Sequence, residues 1–145
     1  MGTVPFIHSI RIRYAETDRM GIAHHSMYAV YMEEARTEYM RAMGFSYAQA
    51  EAEGIMLPLS QLSCQYKSPV TYDDTLDIAV RMAAFRGARL TLSYEMTCAG
   101  RLVALGETVH AITDTRLVPV NLRRAHPALY AVFSQALEEQ AKKEE

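Results

Sequence analysis

Apolar and polar positions along this chain follow two periods, and the switches between them mark out its elements. Residues 6–13, FIHSIRIR, alternate, with Phe6, His8, Ile10 and Ile12 on one side and Ile7, Ser9, Arg11 and Arg13 on the other. That period of two predicts a half-buried strand. Residues 14–27 follow neither period, and their Thr17, Asp18, Gly21 and Ser26 are turn and cap formers. Over 28–43 the apolar positions Tyr28, Tyr31, Met32, Ala35, Tyr39, Ala42 and Met43 recur at spacings of three and four, while Glu33, Arg36, Glu38 and Arg41 supply polar sides. This predicts the longest helix, with Ser26 as its N-cap, Gly44 as its stop and i, i+3 charge pairs on its polar face. A short helix over 46–53, ending near Gly54, follows.

The period then returns to two. Residues 59–66 set Leu62, Cys64 and Tyr66 against Ser63 and Gln65, and Pro69 with the Asp73-Asp74 pair marks a turn. In 75–85, Leu76, Ile78, Val80 and Met82 alternate with Asp77, Ala79, Arg81 and Ala83, and in 89–99, Leu90, Leu92, Tyr94 and Met96 alternate with Thr91, Ser93, Glu95 and Thr97. A last strand is predicted over 102–114, where Gly106 suggests a bulge. Three runs at hairpin spacing predict an antiparallel meander. The tail, 125–145, reads as a helix with Leu129, Tyr130, Phe133, Ala136 and Leu137 on one face, ending in the polar run EEQAKKEE. The whole is an α+β order: strand, long helix, four strands, terminal helix. Its natural solution is an antiparallel sheet wrapped around the long helix, and the strand edges this leaves call for a second subunit.

Composition narrows the function classes. The 145 residues suit one domain, spanning 1–145, and half of them are apolar with 22% charged. The net charge of −2 provides no basic field, so nucleic acid is not an expected partner and any anionic ligand must meet a local cluster of Arg or Lys. No apolar run approaches the roughly 20 residues of a membrane span. The opening MGTVPFIHSIRI lacks the features of a signal peptide, and Phe6 stands where a myristoylated Gly2 would need Ser or Thr. A cytoplasmic protein is expected. Cys64 and Cys98, without CxxC spacing, read as reduced strand thiols.

Candidate chemistry gathers in 11–44, RIRYAETDRMGIAHHSMYAVYMEEARTEYMRAMG, where Asp18, His24 and His25 precede the long helix. Alone, Asp18 would be a turn or cap carboxylate. Adjacent histidines do not converge on a metal as an i, i+4 pair does, so no metal is expected. A carboxylate at the mouth of a helix, beside free N–H groups of its first turn, can supply an activated oxygen and donors for charge growing on a carbonyl. Gly21 lets backbone approach substrate closely.

The spacing R-I-x4-T-D-x2-G-I-x2-H-x2-Y, from Arg11 to Tyr28, resembles the active-site signature of the 4-hydroxybenzoyl-CoA thioesterase family, within the hotdog fold, and its YbgC-like acyl-CoA thioesterase branch. The blocks Glu33-x-Ala35-Arg36-Thr37-Glu38 and Tyr66-Lys67-x-Pro69-Val70-x-Tyr72-Asp73-Asp74 are similar to that branch too, so the resemblance spans about 7–120. Ala23 and Met27 depart from its usual Val and Asn. The resemblance implies a hotdog acyl-CoA thioesterase with Asp18 as nucleophile or general base, the His25 backbone N–H as carbonyl polariser, and Tyr28 and Tyr31 lining the acyl pocket. It implies no cofactor beyond the coenzyme A of the substrate, and a homodimer at minimum or a homotetramer, in which Glu33 and Arg36 support the site across a subunit contact. Lys67, Arg86 and Arg89 are candidate contacts to the coenzyme's phosphates, with solvated surface as the alternative; Arg123 and Arg124 read as surface. Two other classes compete. A hotdog enoyl-CoA hydratase typically shows D-x4-H, but five residues separate Asp18 from His24 and six separate it from His25. A non-catalytic acyl-carrier binding subunit would not require Asp18.

Overall fold

The structure is a computed structural model that describes residues 6–144, with side chains through Gln140. The expectations for Gly2 and the first five residues lie outside the described residues. Five strands and four helices follow one another as β1 (Phe6–Arg11), α1 (Met27–Ala42), α2 (Tyr47–Ala52), β2 (Leu59–Tyr66), β3 (Thr75–Arg86), β4 (Arg89–Cys98), β5 (Arg101–Ala111), α3 (Leu122–Ala125) and α4 (Pro127–Glu144). The strands form one antiparallel sheet in the order β1-β3-β4-β5-β2. The predicted meander is β3-β4-β5; β1 extends it on one side and β2 closes the other edge beside β5.

Alternation explains which face is covered. His8 pairs with Ile78, Ile78 with Met96, Tyr94 with Gly106, and Gly106 with Cys64, and these positions face α1. On that face Leu76, Ile78, Val80, Met82, Leu92, Tyr94 and Met96 are buried beneath Tyr28, Tyr31, Met32 and Ala35 of α1 in one cluster. His8 Nε2 meets Glu34 Oε2 at 2.7 Å, tying β1 to the helix. At the far end of β3, Phe85 packs edge-on against Phe133 and tilted against Tyr130, so α4 covers what α1 does not reach. Gly106 sits in regular pairing with both Cys64 and Tyr94, so the predicted bulge is not there. Its role is clearance: a Cβ at this position would lie 2.5 Å from Met32 Sδ, and glycine lets α1 come down onto β5. The irregularities fall elsewhere, between Leu59 and Gln61, between Met82 and Ala84, and between Met96 and Thr97.

Arg36 is a second departure from the helical pattern. It is not on the polar face with the Glu38–Arg41 pair, whose atoms meet at 2.6 Å. Instead it turns inward to the Tyr47 hydroxyl of α2 and the Tyr94 hydroxyl of β4, with its Nη1 buried and without a partner among the described residues. Below it runs a directed hydrogen-bond chain. His110 must donate from Nδ1 to the Leu57 carbonyl at 3.1 Å, so its Nε2 accepts from the Thr108 hydroxyl at 2.9 Å, and Thr108 in turn accepts from Tyr94 at 2.7 Å. Burial pushes the His110 imidazole below its ordinary pKa of 6.5, opposed by the Leu57 carbonyl and reinforced by Arg36. His110 is therefore a neutral core histidine.

Because the folded pKa lies below the unfolded one, the stability His110 contributes is full above pH about 6.5 and is lost as pH falls from there towards the folded value. The urea midpoint of the wild type should thus fall more steeply between about pH 7 and 5 than that of His110→Gln. Parallel slopes would remove His110 as the cause.

Candidate active site

The segment between β1 and α1 folds as a small hairpin. After a single 3-10 turn, Tyr14–Glu16, Thr17 bridges Ala23 and the Asp18 N–H donates to the Ile22 carbonyl at 2.8 Å. Asp18 to Gly21 close the tip: Gly21 N–H donates to the Asp18 carbonyl at 3.0 Å, and Met20 N–H to Asp18 Oδ1 at 2.8 Å. Asp at the first position and glycine at the fourth are what a type I turn with a following left-handed residue selects, and Gly21 has φ +81°. The hairpin docks on the β2–β3 connection through Ala23 N–H to the Val70 carbonyl and a bridge between Ile22 and Thr71. The Asp18 carboxylate thus caps its own turn and makes no hydrogen bond to the amides of α1. One of its oxygens is committed to Met20, while Oδ2 has no protein partner among the described residues.

The start of α1 differs from the expected cap. Ser26 is already helical at φ −65°, ψ −22°, and its hydroxyl makes no cap bond. The cap is His24. Ser26 N–H donates to His24 Nδ1 at 3.2 Å, which makes Nδ1 the bare nitrogen, so the Ser26 hydroxyl 2.8 Å away also donates to it and Nε2 carries the proton. The imidazole reaches the N–H two residues on, as an Asn or Asp cap does. His25 stacks on it at 4.0 Å between centroids. The His25 carbonyl accepts from Tyr28 N–H and from the Tyr66 hydroxyl at 3.2 Å, whereas the His25 N–H has no acceptor among the described residues.

Tyr28 is buried under Tyr66, with ring centroids 4.9 Å apart and nearly perpendicular planes. Burial, then the neighbouring Cys64 and Tyr66, push its phenol up, so it stays protonated. Lys67, exposed, follows Tyr66 directly. Arg101, the first residue of β5, bonds the Ser68 hydroxyl and the Pro69 carbonyl, and its charge reaches Tyr28. One chain does not bring Arg86 and Arg89 to this place: they flank Gly87 at the other end of β3, eleven residues or roughly 35 Å along the strand from Thr75. Residues 18, 21, 25, 28 and 67 belong to the Asp18 end; 86 and 89 do not.

Three residues here carry no expectation from spacing alone. Glu16 is 7% exposed, and its carboxylate accepts from Arg13 N–H at 2.9 Å, Arg13 Nε at 2.9 Å and the Tyr31 hydroxyl at 3.0 Å. Burial raises its pKa, but the bonds from Arg13 and Tyr31 outweigh that and leave the carboxyl below its ordinary range. Tyr66 and Arg101 are the others. Tyr66 leaves a trace as the first residue of the block 66–74, and Glu16 as an acid two residues before Asp18. Among the described residues, no three His, Cys, Asp or Glu side chains are grouped to hold a metal.

The sequence profile of the thioesterase-like superfamily matches residues 12–137, which takes in the hairpin, α1 and the whole meander. The chain belongs to that superfamily. Its fold is the hotdog fold, and as a member it is a thioester hydrolase. YneP of Bacillus subtilis is 31% identical over 129 residues, 88% of this chain and 94% of the relative. The acyl-CoA thioester hydrolase YbgC of Escherichia coli is 31% identical over 93 residues, 64% of this chain and 69% of that one. Among solved structures, a DHNA-CoA thioesterase from Staphylococcus aureus superposes with a TM-score of 0.86 at 32% identity, covering 93% of each chain.

The His24 cap of this thioesterase is open to test. His24→Ala should cost about 1 kcal/mol, within the range of lost caps, and His24→Asn, whose amide oxygen accepts from the same N–H, only a few tenths. Equal losses in urea unfolding would assign the effect to the stack on His25 instead.

Proposed function

We propose that the protein hydrolyses acyl-CoA thioesters to the free acid and coenzyme A, with Asp18 as the catalytic carboxylate and the His25 backbone N–H as the donor to the thioester carbonyl. The observation that carries this reading is the pairing of a carboxylate oxygen without a protein partner, on a rigid turn, with an unbonded N–H at the start of α1. The N–H lies at the positive end of a helix of 16 residues, where an oxyanion is favoured. Asp18 Oδ2 either attacks the carbonyl carbon, giving a mixed anhydride that water opens, or takes a proton from the attacking water. On both routes the C–S bond breaks, the sulfur leaves as thiolate and gains a proton, and the acid carries the new C–O bond. Gly21 keeps the turn's tip open, since no atom lies within 4 Å of a Cβ built there. The names of YbgC and of the staphylococcal structure support a coenzyme A thioester as substrate.

Lys67 and Arg101, beside Tyr66, are assigned to the coenzyme's phosphates from within one chain, and Arg86 and Arg89 reach the same nucleotide only from another copy. That copy has a place to dock. β2 is an edge strand exposed along nearly its whole length, with Leu59, Leu62 and Tyr66 uncovered and Leu102 and Leu105 of β5 beside them. We assign this edge to a homodimer, which pairs the bare strand and covers its apolar side chains. A cytoplasmic location belongs to the same reading, since both cysteines are free thiols. No helix among the described residues is long and apolar enough to cross a membrane.

Thiol release from a panel of short, long and aromatic acyl-CoAs tests the chemistry. Asp18→Asn should lower kcat by about 10²-fold or more while the fold is retained. Undiminished hydrolysis by Asp18→Asn would overturn its role, and no release by the wild type on any substrate would favour an acyl-CoA binding subunit. For the assembly, Leu62→Lys should shift the dimer to monomer in sedimentation equilibrium; an unchanged mass would move the interface elsewhere.

A further inference from the structure

We propose that Glu16 is the positioning residue of this site: its buried carboxylate and its carbonyl together fix the distance and angle between Asp18 and the His25 N–H. This rests on the catalytic reading above and extends it to a residue that touches no substrate. Three parts of the site converge on this one residue. The carboxylate takes the backbone N–H and the guanidinium of Arg13, where β1 ends. It also takes the hydroxyl of Tyr31, which is 2% exposed and one turn inside α1. The Glu16 carbonyl accepts from His24 N–H at 2.8 Å, at the returning end of the hairpin. Asp18 follows Glu16 by two residues and His25 follows His24 by one, so both reacting groups hang from atoms that Glu16 holds.

Two physical points favour positioning over stability as the purpose. A glutamate is almost never buried unless paired, and replacing a buried polar set by apolar side chains of similar volume often costs nothing. The same place could have been filled by a leucine against Tyr31 if only a core were needed. Second, a displacement of about 1 Å between a catalytic group and its substrate can cost about 10²-fold in rate. The hairpin's other anchors, Ala23 to Val70 and Ile22 to Thr71, bind its outer strand to the β2–β3 connection. Among the described residues, only the Glu16 set ties it by side-chain hydrogen bonds to α1, the element that His25 leads into. No proton or electron is transferred by this set; it acts through geometry alone.

The test uses full-length enzyme with kcat and KM measured per folded molecule, the folded fraction taken from circular dichroism at the assay temperature. Glu16→Ala should lower kcat by about 10²-fold with KM changed less than about threefold. Glu16→Gln, which keeps one acceptor oxygen, should recover part of that loss, and Tyr31→Phe should lower kcat by about five- to tenfold. Because the groups act as one unit, Glu16→Ala with Tyr31→Phe should be no slower than Glu16→Ala alone. A merely structural role would lower the folded fraction and leave kcat per folded enzyme unchanged, which would overturn the proposal, as would multiplicative losses in the double variant. If Glu16→Ala does not fold, Glu16→Gln and Tyr31→Phe decide, since each keeps the shape of the site. Asp18→Asn run alongside separates the two readings. Full activity in Asp18→Asn sinks the catalytic assignment, while a dead Asp18→Asn beside unimpaired Glu16 and Tyr31 variants sinks only the positioning role.

Discussion

One helix cannot cover five strands. α1 has a diameter with side chains of about 10 Å, and a five-stranded sheet is roughly 19 Å across, so the apolar face of this sheet needs other cover. The structure distributes the task. α1 lies over the middle, α4 closes the far end of β3 through Phe133, and α2 roofs the Arg36 cluster through Tyr47. β2 receives the least cover within the chain, with only Cys64 half-buried. The strand that the monomer leaves bare is also the one whose last residue, Tyr66, bonds the His25 carbonyl. The proposed assembly and the proposed chemistry thus fall at one edge, and a second chain placed there would close the site against water.

The same economy explains why the entrance of α1 suits the proposed reaction centre. The amides of a helix's first turn have no internal acceptors, and something must meet them. Here His24 takes one, through its ring, and the His25 N–H is left over. In a typical cap a Ser or Asp oxygen would occupy the space before the helix. The planar ring folds back on Ser26 instead and stacks with His25, and the His25 N–H keeps no acceptor among the described residues. The hairpin supplies the opposing carboxylate, and its tip is held by hydrogen bonds internal to the turn rather than by the helix.

The elements were legible because period two and period 3.6 are both well kept. β2 begins and ends where alternation does, and the other predicted strands and long helix differ from the observed ones by one to three residues at their ends. The misses share a cause. Gly106 looked like a bulge because a lone glycine in a strand has two explanations, and which applies depends on Met32, seventy-four residues earlier. Arg36 looked solvated because charge on a helix is usually outside; the hydroxyls that draw it inward come from α2 and β4. Ser26 was the expected cap by residue type, yet His24 had the geometry. Of the candidate site, the turn with Asp18 and Gly21 was readable as local turn chemistry, while the joining of Glu16 to Tyr31 needed α1 folded back on β1. Arg86 and Arg89 were grouped with the site as the local cations that a coenzyme A resemblance calls for, and within one chain they lie at the other end of β3 from Thr75.

The remaining question is what fixes α1 along its own axis. An apolar stripe does not: Met32 and Ala35 would pack almost as well after a small slide, and methionine in particular adapts to a shifted neighbour. Polar contacts are less forgiving because a displaced donor loses its partner in a medium that offers no substitute. α1 carries two such buried contacts, Tyr31 to Glu16 near its start and Arg36 to Tyr47 and Tyr94 five residues on. A slide of α1 along its axis strains both, and five residues at about 100° each set them on different sides of the helix, so rotation strains them too. The pair acts as a register mark. Since His25 leads directly into the same helix and its carbonyl is held by Tyr66, the marks that set the helix on the sheet also set the proposed N–H donor, and the proposed chemistry would inherit its precision from the core.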